Sequence, residues 1–196
     1  MMMTSITPSP LAPRQAATLL GTLPTYLRSL IYTTPVELLR WLPALGEWCI
    51  LEVVGHLIET EERGFAGRIR TILAEQRPQL PTWDPSAIAQ ARRDAERDPG
   101  ELLAEFITRR AAGVALAESL TADDLDRGGV HPEVGFLTVN DLLHEWIHHD
   151  ANHLRQVLAN IQAYTWPNMG TAQHFSAPTA QSGAPGLLDR STPGTV

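Results

Sequence analysis

Apolar residues recur at helical spacing in four stretches, about 12–32, 48–76, 99–120 and 138–163, each long enough for a helix and each bounded by Pro, Gly, Asp or Thr. No run alternates with period two over the several residues a half-buried strand needs, and no internal repeat of about 20 to 50 residues is visible. Four amphipathic helices without strands predict an all-α fold, an antiparallel four-helix bundle over residues 11–166.

The ends of these segments are specified locally. Gly21 and Pro24 fall inside the first, so it is expected to kink or to break into two short pieces. The third starts after Asp98 with Pro99 in the first turn, where a missing N–H costs nothing, and its run through Leu102, Leu103, Phe106, Ile107 and Val114 makes it a wall of the bundle. Thr138 or Asn140 can cap the fourth, and Pro167 stops anything helical near Trp166. Residues 1–10 and 167–196 carry much of the Pro, Ser, Thr and Gly and have little to bury, so both are expected to be flexible.

Composition narrows the function classes. With 196 residues, 43% apolar and 19% charged, the chain suits one globular domain. Its net charge is −7 and its basic residues are all Arg; the adjacent pairs Arg92–Arg93 and Arg109–Arg110 sit among acidic neighbours. That is the opposite of the dense basic stripe a nucleic-acid binder needs. No stretch of about 18 apolar residues could span a membrane, and the N-terminus has no signal-peptide pattern, so a soluble cytoplasmic protein is expected. Cys49 is the only cysteine, which excludes an internal disulfide; beside Ile50 and Leu51 it reads as a small buried hydrophobe.

The candidate chemistry lies in the fourth segment, where four of the seven histidines fall within ten residues. At about 100° per residue, Val139, Leu142, Leu143, Trp146, Ile147, Leu154, Val157, Leu158 and Ile161 form one apolar stripe. His149 and His153 lie at its edge, one turn apart, where both imidazoles can reach one cation; His144 and His148 have the same spacing but point toward solvent. Asp150 falls near the centre of the stripe, and Glu61 lies among Val54, Leu57, Phe65 and Ile72 on the second segment. A buried carboxylate needs a partner. Asp150 can orient a ligand imidazole or pair with a cation on a neighbouring helix, and Glu61 poses the same choice. His56 is the one histidine of the second segment, but the wheel puts it more than about 90° from the centre of that helix's apolar face, a boundary or exposed position.

Four stretches, GEWCILEVVGHLIETE from Gly46, RPQLPTWDP from Arg77, HPEVGFLTVNDLL from His131 and HDANHLRQV from His149, together resemble the DinB-like proteins. These are damage-inducible bacterial four-helix bundles, and the branch resembled includes metal-dependent thiol S-transferases. The likeness covers residues 13–166. It implies one divalent metal, zinc or nickel, held by His56, His149 and His153; Asp150 and Glu61, inward on their helices, are the candidate supporting residues beside it. Three imidazoles leave coordination positions open, a catalytic rather than a closed structural pattern. The resemblance implies a low-molecular-weight thiol and an electrophilic small molecule as partners, and a homodimer; a metal-binding stress protein without turnover, or a homodimeric interaction module, is the alternative. A ferritin-like di-iron site would need two Glu-x-x-His motifs, and only Glu145 with His148 fits, facing outward. His131, Trp83 and Trp166 are read as loop and end-of-core residues outside the site.

Overall fold

The computed structural model describes residues 9–176. The chain forms α1 (Pro13–Leu20), α2 (Leu23–Thr33), α3 (Val36–Leu39) and α4 (Ile50–Glu59). α4 passes through a π-helical segment, Thr60–Phe65, into α5 (Ala66–Ala74), and α6 (Pro85–Arg92), α7 (Pro99–Ser119), α8 (Ala122–Leu125), α9 (Val139–Thr165) and α10 (Gln173–Ser176) follow. Four rods make an all-α bundle: α1 with α2, α4 with α5, α7, and α9. α7 packs on α1, α2 and α4, while α9 packs on α1, α4 and α5.

The local signals explain the boundaries. α1 and α2 break at Gly21–Thr22, with Pro24 in the first turn of α2. Asp98 caps α7 by accepting from the N–H groups of Gly100 and Glu101 at 2.9 and 3.0 Å. Thr138 caps α9: its hydroxyl accepts from Asp141 N–H at 3.0 Å while the Asp141 carboxylate accepts from Thr138 N–H at 2.9 Å.

Three features depart from the sequence reading. Two four-residue strands, β1 (Gly128–His131) and β2 (Gly135–Thr138), form an antiparallel hairpin with Gly128 opposite Thr138. Each is too short for alternation to register, and Gly135 turns the hairpin at φ +83°. The connector before α7 holds α6, whose N-cap Asp84 accepts from Ser86 and Ala87 N–H. Finally, Trp166–Asn168, Gly170–Ala172 and α10 are helical turns where a flexible tail is expected; residues 1–8 and 177–196, the rest of the expected flexible ends, lie outside the described residues.

The apolar core has two lobes. One gathers Leu27, Leu39, Leu51, Leu57, Phe106 and Val157; the other gathers Leu20, Phe65, Ile69, Ala117, Leu143 and Trp146. Along each long helix the junction between the lobes carries a polar residue: Glu61 between Leu57 and Phe65, Arg110 between Phe106 and Ala117, and Asp150 between Trp146 and Val157. A polar layer thus cuts the core beside the histidines.

Candidate metal centre

His149 and His153 sit one turn apart on α9, and α4 delivers His56 from across the bundle. Nε2 of His149 lies 3.1 Å from Nε2 of His56 and 3.1 Å from Nε2 of His153. One ring nitrogen from each residue falls within 4.8 Å of the others, a set that can hold one metal ion. Bonds of about 2.0–2.1 Å at tetrahedral angles would place such donors about 3.3 Å apart, close to what the rings already show.

Tautomer and burial complete the donor set. Gln156 Oε1 lies 2.9 Å from Nδ1 of His153, so Nδ1 carries the proton and Nε2 the free lone pair. Burial pushes His56 down to about 3, with the charge of His153 adding to the effect. Burial likewise drives His149 well below its ordinary value, helped by His153 and His56, and lowers His153, where the bond to Gln156 opposes it. Three neutral imidazoles with converging lone pairs repel one another unless a cation or shared protons lie between them. The donor chemistry therefore fits a divalent metal.

Two aromatic rings wall the site. Trp48 lies 4.9 Å from the His56 ring and Phe65 meets His149 edge-on at 5.2 Å. Asn160 on α9 fixes the Trp48 loop by donating to its carbonyl at 2.9 Å. His56 and His149 are buried and His153 only half-buried, so the centre faces solvent on the His153 side.

The burial of His56 corrects the wheel. That projection gave α4 a broad wet face, but Ile50, Leu51, Val53, Val54, Leu57 and Ile58 are all buried with His56, and only Glu52 and Glu59 of this helix are partly exposed. His148 is exposed as expected. His144 is half-buried instead: its Nε2 accepts from Leu11 N–H at 3.0 Å and its Nδ1 donates to Asn140 carbonyl at 2.8 Å, tying the start of the chain to α9.

Asp150 and Glu61 go to a cation rather than to an imidazole. Arg110 donates to both oxygens of Asp150, at 2.5 and 2.8 Å, and to Oε1 of Glu61 at 2.5 and 2.9 Å, and Trp146 Nε1–H donates to the same Glu61 oxygen at 3.0 Å. Burial raises both carboxylates while Arg110 pulls them down; in return they push the guanidinium further up. Glu61 lies within the π-helical segment, a local widening common near functional sites. Gln156, Trp48 and Arg110 carry no periodic signal; only the fact that Asp150 and Glu61 both needed a partner pointed toward Arg110.

A helical bundle with three converging imidazoles defines a class, metal-site four-helix bundles. Residues 19–157 match the family model described as the DinB superfamily, and the chain belongs to that family. It is 27% identical over 122 residues to a protein of Bacillus licheniformis named as a probable metal-dependent hydrolase, covering 62% of this chain and 69% of that one. It is 24% identical over 122 residues to YfiT of Bacillus subtilis, which carries the same description, covering 62% and 68%. The solved structure of YfiT, described as an unusual four-helix bundle, superimposes with a TM-score of 0.72 at 21% identity, over 84% of this chain and 96% of YfiT. Among the described residues no helix is long and apolar enough to cross a membrane.

Proposed function

We propose that His56, His149 and His153 hold one zinc or nickel ion and that the protein is a metal-dependent transferase joining a low-molecular-weight thiol to an electrophilic small molecule. The observation that carries the reading is the convergence of three neutral Nε2 donors with only the His153 side open to solvent. When bound there, a divalent ion supplies a Lewis acid that lowers the pKa of a coordinated thiol and holds the thiolate.

The chain's own residues do the rest. Gln156 fixes the His153 tautomer, so its Nε2 lone pair faces the centre. Trp48 and Phe65 pack against the His56 and His149 rings and keep water from the buried side. Asp150 and Glu61 are engaged by Arg110, so the proton lost by the thiol passes to solvent on the His153 side. In the transfer a sulfur–carbon bond forms and the electrophile's leaving group departs with its electron pair. Thiols ionise far more readily than water, which suits a centre whose metal-binding set among the described residues is three imidazoles and no carboxylate.

Hydrolysis is the second reading, favoured by the descriptions of the two Bacillus relatives. The two are separated by following thiol consumption and ester or amide cleavage in parallel, with metal-loaded protein and with a His149→Ala variant. Metal-dependent thiol conjugation lost in the variant supports the transferase; cleavage without conjugation replaces it with the hydrolase.

A further inference from the structure

Three buried side-chain nitrogens on neighbouring segments, α5, the connector before α6 and β1, have no hydrogen-bond partner among the described residues. Arg68 on α5 is 4% exposed and His131 at the end of β1 is 3% exposed. Nε of Arg68, Nε2 of His131 and Nε1 of Trp83 are buried and make no hydrogen bond among the described residues. The backbone brings them together. Val130 pairs in parallel with Gln79, through Leu80 N–H to Val130 carbonyl at 2.9 Å and Val130 N–H to Pro78 carbonyl at 2.8 Å, which lays His131 beside the Leu80–Pro81 segment. Arg68 reaches the same segment, donating to Pro81 carbonyl at 3.2 Å with its guanidinium 4.9 Å above the Trp83 ring.

All three are donors. Nδ1 of His131 accepts from Glu133 N–H at 3.3 Å, so in the neutral ring the proton is on Nε2. Burial and the charge of Arg68 lower His131, and the exposed Glu133 opposes this, so the ring stays neutral while the guanidinium carries the charge. Burial also works against Arg68, offset only by the same Glu133 carboxylate, which lies beyond ion-pair distance. A buried guanidinium without an ion pair, flanked by two further N–H donors, is a costly arrangement that an anion would relieve.

We propose that Arg68, Trp83 and His131 form a binding site for a small oxyanion, a carboxylate or phosphoryl group, separate from the histidine triad. Arg68 lies twelve residues beyond His56, about 18 Å along the helix at ~1.5 Å per residue, so a small anion here does not touch the metal ligands. Guanidinium, indole and imidazole each supply N–H donors, a set that suits a group with two or more oxygens.

Calorimetric titration of the full-length protein with inorganic phosphate, and separately with acetate, each at constant ionic strength in chloride, tests the site. Saturable one-to-one binding is expected, unchanged in a His149→Ala variant and weakened about tenfold or more by Arg68→Gln. Trp83→Phe keeps the ring over Arg68 and removes only the N–H; it should weaken binding several-fold with an unchanged circular dichroism spectrum, and it carries the test should Arg68→Gln fail to fold. Tighter phosphate identifies a phosphoryl ligand and tighter acetate a carboxylate, both consistent with the site. No saturation with either anion, equal affinity in wild type and Trp83→Phe, or binding abolished by His149→Ala overturns the proposal.

Discussion

Arg110 grips Asp150 with both terminal nitrogens, at 2.5 and 2.8 Å, although 40 residues separate them in the chain and both are buried. The same guanidinium holds Glu61, so three helices are tied by one charge placed between two apolar lobes. Removing it strands two buried carboxylates. Arg110→Ala should therefore lower unfolding stability by about 3–5 kcal/mol, as measured by urea denaturation. A loss under about 1 kcal/mol would mean that the polar layer is wetter than its burial indicates.

Acid should destabilise the metal-free protein. The folded chain holds His56 at about 3 against an ordinary 6.5, and holds His149 and His153 low as well. Below about pH 6.5 the unfolded chain takes up protons that the folded chain refuses, so unfolding gains and stability falls as pH drops toward 3. Above that window these groups are neutral in both states and contribute no slope. Denaturation of chelator-treated protein from pH 7.5 to 5 checks this; a midpoint that stays level or rises on acidification contradicts it.

Gln156 should matter for metal affinity and His148 should not. Losing the bond to Nδ1 of His153 frees that ring to turn and to change tautomer, so Gln156→Ala should weaken metal binding by about 10- to 100-fold. His148 is exposed, and His148→Ala should leave affinity unchanged. Competition with a chromophoric chelator measures both; equal affinity in the Gln156 variant would remove its supporting role.

Much of this architecture was legible in the residues. Asp98–Pro99 and Thr138 marked the starts of α7 and α9, Gly21 and Pro24 marked the break between α1 and α2, and the wheel separated His149 and His153 from exposed His148. His56 was misplaced because a helical wheel assumes a broad solvent face, and α4 exposes only part of Glu52 and Glu59. The π-helical segment after Glu59 changes the turn angle by a further increment that a fixed period cannot follow. The strands Gly128–His131 and Gly135–Thr138 are shorter than the pattern that would reveal them. The fate of Asp150 could be narrowed to two partners, and only the packing of α7 against α4 and α9 chose Arg110.

The central claim is tested most directly by metal content, measured by inductively coupled plasma mass spectrometry on untagged protein purified without chelator and on its His56→Ala variant. Near-stoichiometric zinc or nickel in the wild type, lost in the variant, is the predicted result. No metal in the wild type even after reconstitution, or equal metal in both proteins, would contradict the three-histidine centre.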